Sequence, residues 1–203
     1  LATQIESFFF FINTLGIQTK YYENLFSQWA VSLRGLKSES DISTVIDNTL
    51  RSYLEGKMAE FRTRFLALRH TAYHPLYRLR YVLGRMENTL LDQCHIPQKG
   101  LRLIDGLQIE HILPQTPGNS VIPQQFGQNI GEYQENVHFL GNITLLESTI
   151  NQAVAKYNDL EGSWFNDKQK EYAKSSLLST QLLDSNFSIG INTSVNKLKP
   201  VYG

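Results

Sequence analysis

Gln108-Ile109-Glu110-His111-Ile112-Leu113-Pro114-Gln115 marks the point where the apolar spacing along the chain changes. Upstream of it, apolar residues recur three and four apart, the period of helices that bury one face. From 101 to 113 they shorten into strand-like runs, and Pro114 ends the second because it has no N–H to give to a ladder. Another such run, Ile143-Thr144-Leu145-Leu146, follows Gly141-Asn142, and Ser148 can cap a helix whose first turn holds Asn151. Between the runs, residues 115 to 135 are rich in Gln, Gly, Pro and Asn and show no periodicity, which predicts a long surface loop. The predicted order is strand, loop, strand, helix.

Outward from this stretch the chain reads as helical. Ile5, Phe8, Phe9, Ile12 and Leu15 form a stripe ending near Gly16, and Tyr22, Leu25, Phe26, Trp29 and Leu33 form a second ending near Gly35. Two further helices meet near Gly56. After Pro75, the positions Leu76, Leu79, Leu83, Met86 and Leu90 predict a well-buried seam, with Arg78 and Arg85 on the opposite face. Downstream, one helix is expected from about Asn166 to Leu183. The fold class is therefore α+β and mostly α-helical, with a helical domain over 1–105, a second domain over 106–183 ending in that helix, and a loosely ordered tail over 184–203.

Composition narrows the function classes. The 203 residues are 41% hydrophobic and 19% charged, ordinary for a globular protein, with no apolar run of membrane-spanning length and no signal-peptide layout. A soluble, cytoplasmic protein without membrane contact is expected. Leu1 is not an initiator methionine, so the chain reads as part of something longer. The single cysteine, Cys94, excludes an intramolecular disulfide and a Cys-rich zinc ribbon, leaving His, Asn and carboxylates as possible metal ligands. Net charge is zero but unevenly spread: −2 over residues 1–56, +6 over 57–102 and −4 over 103–203. Only the middle stretch, with Arg62, Arg64, Arg69, Arg78, Arg80 and Arg85, reads as a phosphate-facing stripe. A solvated helical face explains such a run equally well.

Taken singly, the polar residues around the strands are weak signals. A Glu-His pair is common as a salt-bridged or core pair, Asn142 beside Gly141 suits a turn, and Asn151 suits the start of a helix. Together they resemble the His-Asn-Asn nuclease signature: an acidic-His-apolar-apolar-Pro strand, then an Asn-x-x-x-Leu strand, then Asn or His nine residues on, as Asn151 stands to Asn142. With Phe165, Lys168, Tyr172 and Ser175, the segments EHILPQ and HFLGNITLL are similar to the C-terminal nuclease domain of GmrSD-type, modification-dependent restriction enzymes. The resemblance implies a ββα-metal core after an N-terminal helical bundle, and an N-terminal nucleotide-hydrolysing domain that this chain does not contain.

The resemblance implies double-stranded DNA as substrate and Mg²⁺ or Mn²⁺ as cofactor. His111, with an ordinary pKa near 6.5, is expected as general base, with Asn142 beside it holding the two strands in register. Asn151 and Glu110 are the expected metal ligands, since carbonyl and carboxylate oxygens suit a hard cation. Glu110 and His111 are adjacent, and adjacent strand residues point to opposite faces. Either the strand end is twisted or only one of the two faces the metal. Lys168 and Tyr172, on one helical face with Ser175, are expected at phosphate, as are Lys156, Arg78 and Arg85. His138 carries no assignment beyond a supporting contact. The alternative readings are a helical DNA-binding or protein-interaction module with a vestigial site, and an RNA-directed nuclease.

Overall fold

The computed structural model describes residues 2–73, 75–117, 130–159 and 163–187. The tail from residue 188 and most of the expected surface loop, 118–129, lie outside the described residues. The chain divides into two compact units, 1–68 and 69–203. It is mostly helical with one small antiparallel sheet, and among the described residues no helix is long and apolar enough to cross a membrane.

Unit 1 holds four helices, α1 (Ala2–Thr14), α2 (Lys20–Leu33), α3 (Glu39–Glu55) and α4 (Met58–Leu66). Their stripes meet in one cluster centred on Phe8, Phe11, Ile12, Trp29, Ile46 and Leu50. Phe8 meets the rings of Phe26 and Trp29 edge-on at 5.7 and 5.2 Å, the arrangement that aromatic quadrupoles favour. α1 ends at Thr14, and the turn after it passes through Gly16, whose φ of +67° a side chain would strain.

Unit 2 begins with a 3-10 turn, His70–Tyr73, and α5 (Leu76–Gln93). Although the sequence groups α5 with the N-terminal helices, it packs in this second unit. Its buried face is turned from the predicted seam: Leu79, Leu83, Leu90 and Leu91 are buried, whereas Leu76 and Met86 are exposed. In the seam's place sits Glu87, 0% exposed. The run Leu101–Asp105, expected as a strand, is a short helix, α6. It lies against α5 at Gly84, where a Cβ would meet Ile104 Cδ1 at 2.2 Å. A short apolar run has no period long enough to separate strand from helix, and this close approach decides it.

β1 (Gln108–His111) pairs antiparallel with β2 (Ile143–Leu146) in the register Glu110 to Thr144 and His111 to Ile143. β1 stops at His111, short of Pro114. The loop between the strands ends earlier than predicted, in α7 (Ile130–Val137). α8 (Ser148–Ala155) follows β2 directly, its N-cap being Glu147 rather than Ser148. The single helix expected over 166–183 is two, α9 (Trp164–Tyr172) and α10 (Leu178–Gln181). Two carboxylates account for the break. Glu147 receives the Ser176 N–H at 2.7 Å and the Ser175 hydroxyl at 2.9 Å. Glu87 receives the N–H groups of Leu178 and Ser179, each at 2.8 Å, which caps α10. Burial of the Glu147 carboxyl is outweighed by these bonds to Ser176 and Ser175, and its pKa falls below the ordinary value. Leu146, Val154 and Tyr172, all 0% exposed, form the core that joins β2, α8 and α9.

Candidate active site

Past the end of β1 the pairing is continued by one side chain. Ile112 N–H donates to Asn142 O at 3.0 Å. The Asn142 carboxamide then engages both backbone groups of Leu113, accepting from its N–H at 2.7 Å and donating to its carbonyl at 3.1 Å. Its second amide proton goes to Val137 O at 3.0 Å. A carboxamide carries the donor and acceptor of a peptide, so Asn142, 8% exposed, acts here as an extra rung of the ladder. His111 is thereby held between paired residues on both sides.

On one face of β1, Glu110 meets α9. Glu110 Oε1 accepts from Lys168 Nζ at 2.8 Å and from Tyr172 Oη at 3.2 Å. Lys168 Nζ also donates to the carbonyls of His111 and Ile112, at 3.2 and 3.1 Å. All three of its protons are used, as a buried ammonium requires. Lys168 and Tyr172, expected at phosphate, are instead 0% exposed and turned inward; steps of three and four identify a helix face but not whether it meets solvent. Burial pushes the Lys168 pKa down, with Glu110 opposing, and pushes that of Tyr172 up.

His111 has different neighbours. Its ring lies edge-on to His70, with centroids 4.7 Å apart and planes at 83°. His70 in turn lies 5.3 Å from the His138 ring. An isolated bridge between Arg69 and Phe139 brings these segments together, and both the His70 N–H and its Nδ1 bond His138 O, at 3.0 and 3.2 Å. Burial first, then the neighbouring His70, His138 and Lys168, pushes the His111 pKa down to about 4. The ring is therefore neutral at pH 7, with a lone pair able to accept a proton. Adjacent residues of β1 thus have separate partners, the outcome that strand geometry favours over a twisted end.

Asn151, on α8, donates from Nδ2 to Gln108 Oε1 at 2.7 Å, which places it beside the strand that carries Glu110. Three polar atoms in this region are buried with no hydrogen-bond partner: Asn151 Oδ1, His111 Nε2 and His138 Nδ1. Leaving such an atom unpaired costs about 1–3 kcal/mol. Among the described residues, no group of three or more His, Cys, Asp or Glu side chains is arranged to hold a metal ion. The oxygens that do suit a hard cation are the unpartnered Asn151 Oδ1 and the Glu110 carboxylate, so the donor set fits one that completes its shell with water and substrate. Lys156 is exposed on the 3-10 turn after α8, and Arg78 is exposed on α5.

The family model for GmrSD restriction endonucleases, C-terminal domain, matches residues 56–193, more than half of the chain. The chain belongs to this family. No curated protein and no solved structure compared with it matches. Membership makes this GmrSD C-terminal domain a restriction-type nuclease in the broad sense, a hydrolase of nucleic acid.

Two residues of this GmrSD domain carry no sequence motif for the contacts they make. His70 stands alone in the sequence, 41 positions before His111, and becomes a neighbour through the Arg69–Phe139 bridge and its bonds to the His138 carbonyl. Gln108 is linked to Asn151 only in the folded chain; the alternation that puts it on the Glu110 face is the sequence signal that could have found it.

Proposed function

We propose that this GmrSD domain is an endonuclease of the His-Asn-Asn type that hydrolyses phosphodiester bonds in duplex DNA with Mg²⁺ or Mn²⁺, as the nuclease part of a restriction or phage-defence protein. The observation that carries the reading is the pair of buried, unpartnered atoms His111 Nε2 and Asn151 Oδ1 on neighbouring elements. One can take a proton and the other can bind a cation. In the full-length protein, a nucleotide-hydrolysing domain would precede this one.

His111, neutral at pH 7, accepts the proton of the attacking water, which acts in line with the departing sugar oxygen. Asn142 keeps that ring in place through Leu113, and Lys168 does so through the carbonyls of His111 and Ile112. Asn151 and Glu110 would hold the divalent cation. Bound there, it supplies charge neutralisation at the phosphate oxygens. Base and carboxylate leave β1 on opposite faces, so in this reading the scissile group sits at the strand end, between the two. The bonds of Lys168 and Tyr172 to Glu110 support a role in holding that carboxylate, with Lys156, Arg78 and Arg85 as the phosphate contacts in this reading.

Supercoiled plasmid incubated with the purified chain and Mg²⁺ or Mn²⁺ tests the reading, with single-stranded RNA in parallel. The chain carries one Glu110-His111 strand and one Asn142-to-Asn151 unit, so a monomer addresses one phosphodiester at a time and the opposite strand needs a second encounter. Open-circular DNA is expected before linear product, and the linear fraction should grow with enzyme concentration. No cleavage with either cation, or cleavage of RNA alone, overturns the proposal. Linear product appearing directly at the lowest active concentration contradicts the single-site argument.

DNA binding is expected to weaken with salt at a log-log slope of about −0.9 for each phosphate neutralised. Charge reversal at Arg78 and Arg85 together should lower that slope by roughly 2 if both contact the backbone. An unchanged slope returns α5 to the role of a solvated face.

A further inference from the structure

We propose that His138 is a substrate-contacting residue that donates a hydrogen bond from Nδ1 to a non-bridging oxygen of the scissile phosphodiester, with His70 as its positioning residue. The identity of that phosphate rests on the nuclease reading above; the anion-binding chemistry does not.

The backbone around His138 is fixed independently of its ring. His70 reaches the His138 carbonyl twice, through its N–H and its Nδ1. A carbonyl only accepts, so His70 Nδ1 carries the proton and the tautomer is set. With its backbone clamped in this way, the His138 ring lies against His70 at 5.3 Å, while the His111 ring lies against the same His70 at 4.7 Å. His70 is thus the shared wall between two histidines.

Each of those two histidines presents a nitrogen that is buried and unpartnered, His111 Nε2 and His138 Nδ1. Buried polar atoms in native proteins are paired as a rule, so two orphans in one side-chain cluster point to a ligand. The charge nearby selects its class. Arg69, whose backbone pairs with Phe139, holds its guanidinium 5.1 Å from the Phe139 ring beside His138. Glu110, the carboxylate nearest in sequence to His111, is engaged by Lys168 and Tyr172. An imidazole N–H donor at His138 with a guanidinium alongside fits a phosphate oxygen. A single phosphodiester presents both what His138 needs, an acceptor oxygen, and what His111 needs, a phosphorus under attack by the water whose proton it takes.

Titrating inorganic phosphate while recording the imidazole carbon–proton NMR signals tests the site without cleavage. The signals of His138 and His111 are expected to move together with one dissociation constant. His138→Phe should abolish the phosphate-dependent shift of His111. In the plasmid assay the same variant should lose about 10²-fold in kcat, the usual effect of removing one such donor. Its melting temperature should stay near the parent's, because the bonds to the His138 carbonyl remain. His138→Asn, which keeps an amide donor near the position of Nδ1, should recover cleavage to within about tenfold of the parent. The proposal is overturned if phosphate leaves the His138 signals unmoved, if His138→Phe cleaves within about threefold of the parent, or if His138→Asn is as inactive as His138→Phe. Phosphate-dependent shifts in a chain that cleaves no nucleic acid would support the anion site and overturn the nuclease reading instead.

Discussion

Replacing His111 with alanine is expected to lower plasmid cleavage by roughly 10²- to 10⁴-fold, the range for loss of a general base. DNA affinity and folding should change little. A base acts on the proton that moves in the transition state, so kcat falls while binding of the ground state persists. The ring contributes no hydrogen bond through Nε2, which has no partner, and its removal leaves the backbone pairing of Ile112 with Asn142 intact. Time courses on supercoiled plasmid, with DNA binding measured on the same preparations, check this. A His111→Ala chain that retains more than about a tenth of the parent rate is incompatible with the assignment.

The second large effect is expected at Asn142. Alanine there removes three hydrogen bonds, to both backbone groups of Leu113 and to Val137 O, and strands those backbone groups in a site only 8% exposed at Asn142. The expected destabilisation is roughly 2–4 kcal/mol, since each buried group left unpaired costs about 1–3. In a chain of this size the melting temperature should drop by about 5–15 °C. Activity should fall with it, because Leu113 and Ile112 are the residues that hold His111 from its C-terminal side. Asn142→Asp separates the parts of the argument: it keeps the acceptor for Leu113 N–H but sets a carboxylate against two carbonyls, so it should be no more stable than the alanine variant. An Asn142→Ala chain that is inactive yet melts like the parent would contradict the structural role and move Asn142 to the chemistry itself.

The sequence alone determined what local periodicity and spacing can carry. α1 to α5 were legible because their apolar stripes run long enough to select a period near 3.6. The His-Asn-Asn spacing around Glu110, His111, Asn142 and Asn151 pointed to the family that the comparison then showed. Decisions that depend on residues far apart were left to tertiary structure. Leu101 to Asp105 became helix because Gly84 leaves room for Ile104. Glu87 replaced an apolar residue in the seam of α5 because the cap it provides lies 91 positions away. The helix expected over 166–183 broke where Glu147 and Glu87 capture its backbone. Lys168 and Tyr172 share a helix face in any reading, but whether that face meets phosphate or Glu110 is decided by packing, which no spacing rule encodes. The grouping of His70, His111 and His138 is of the same kind: three histidines separated by 41 and 27 positions meet only because one isolated bridge and two bonds to a carbonyl bring their segments together.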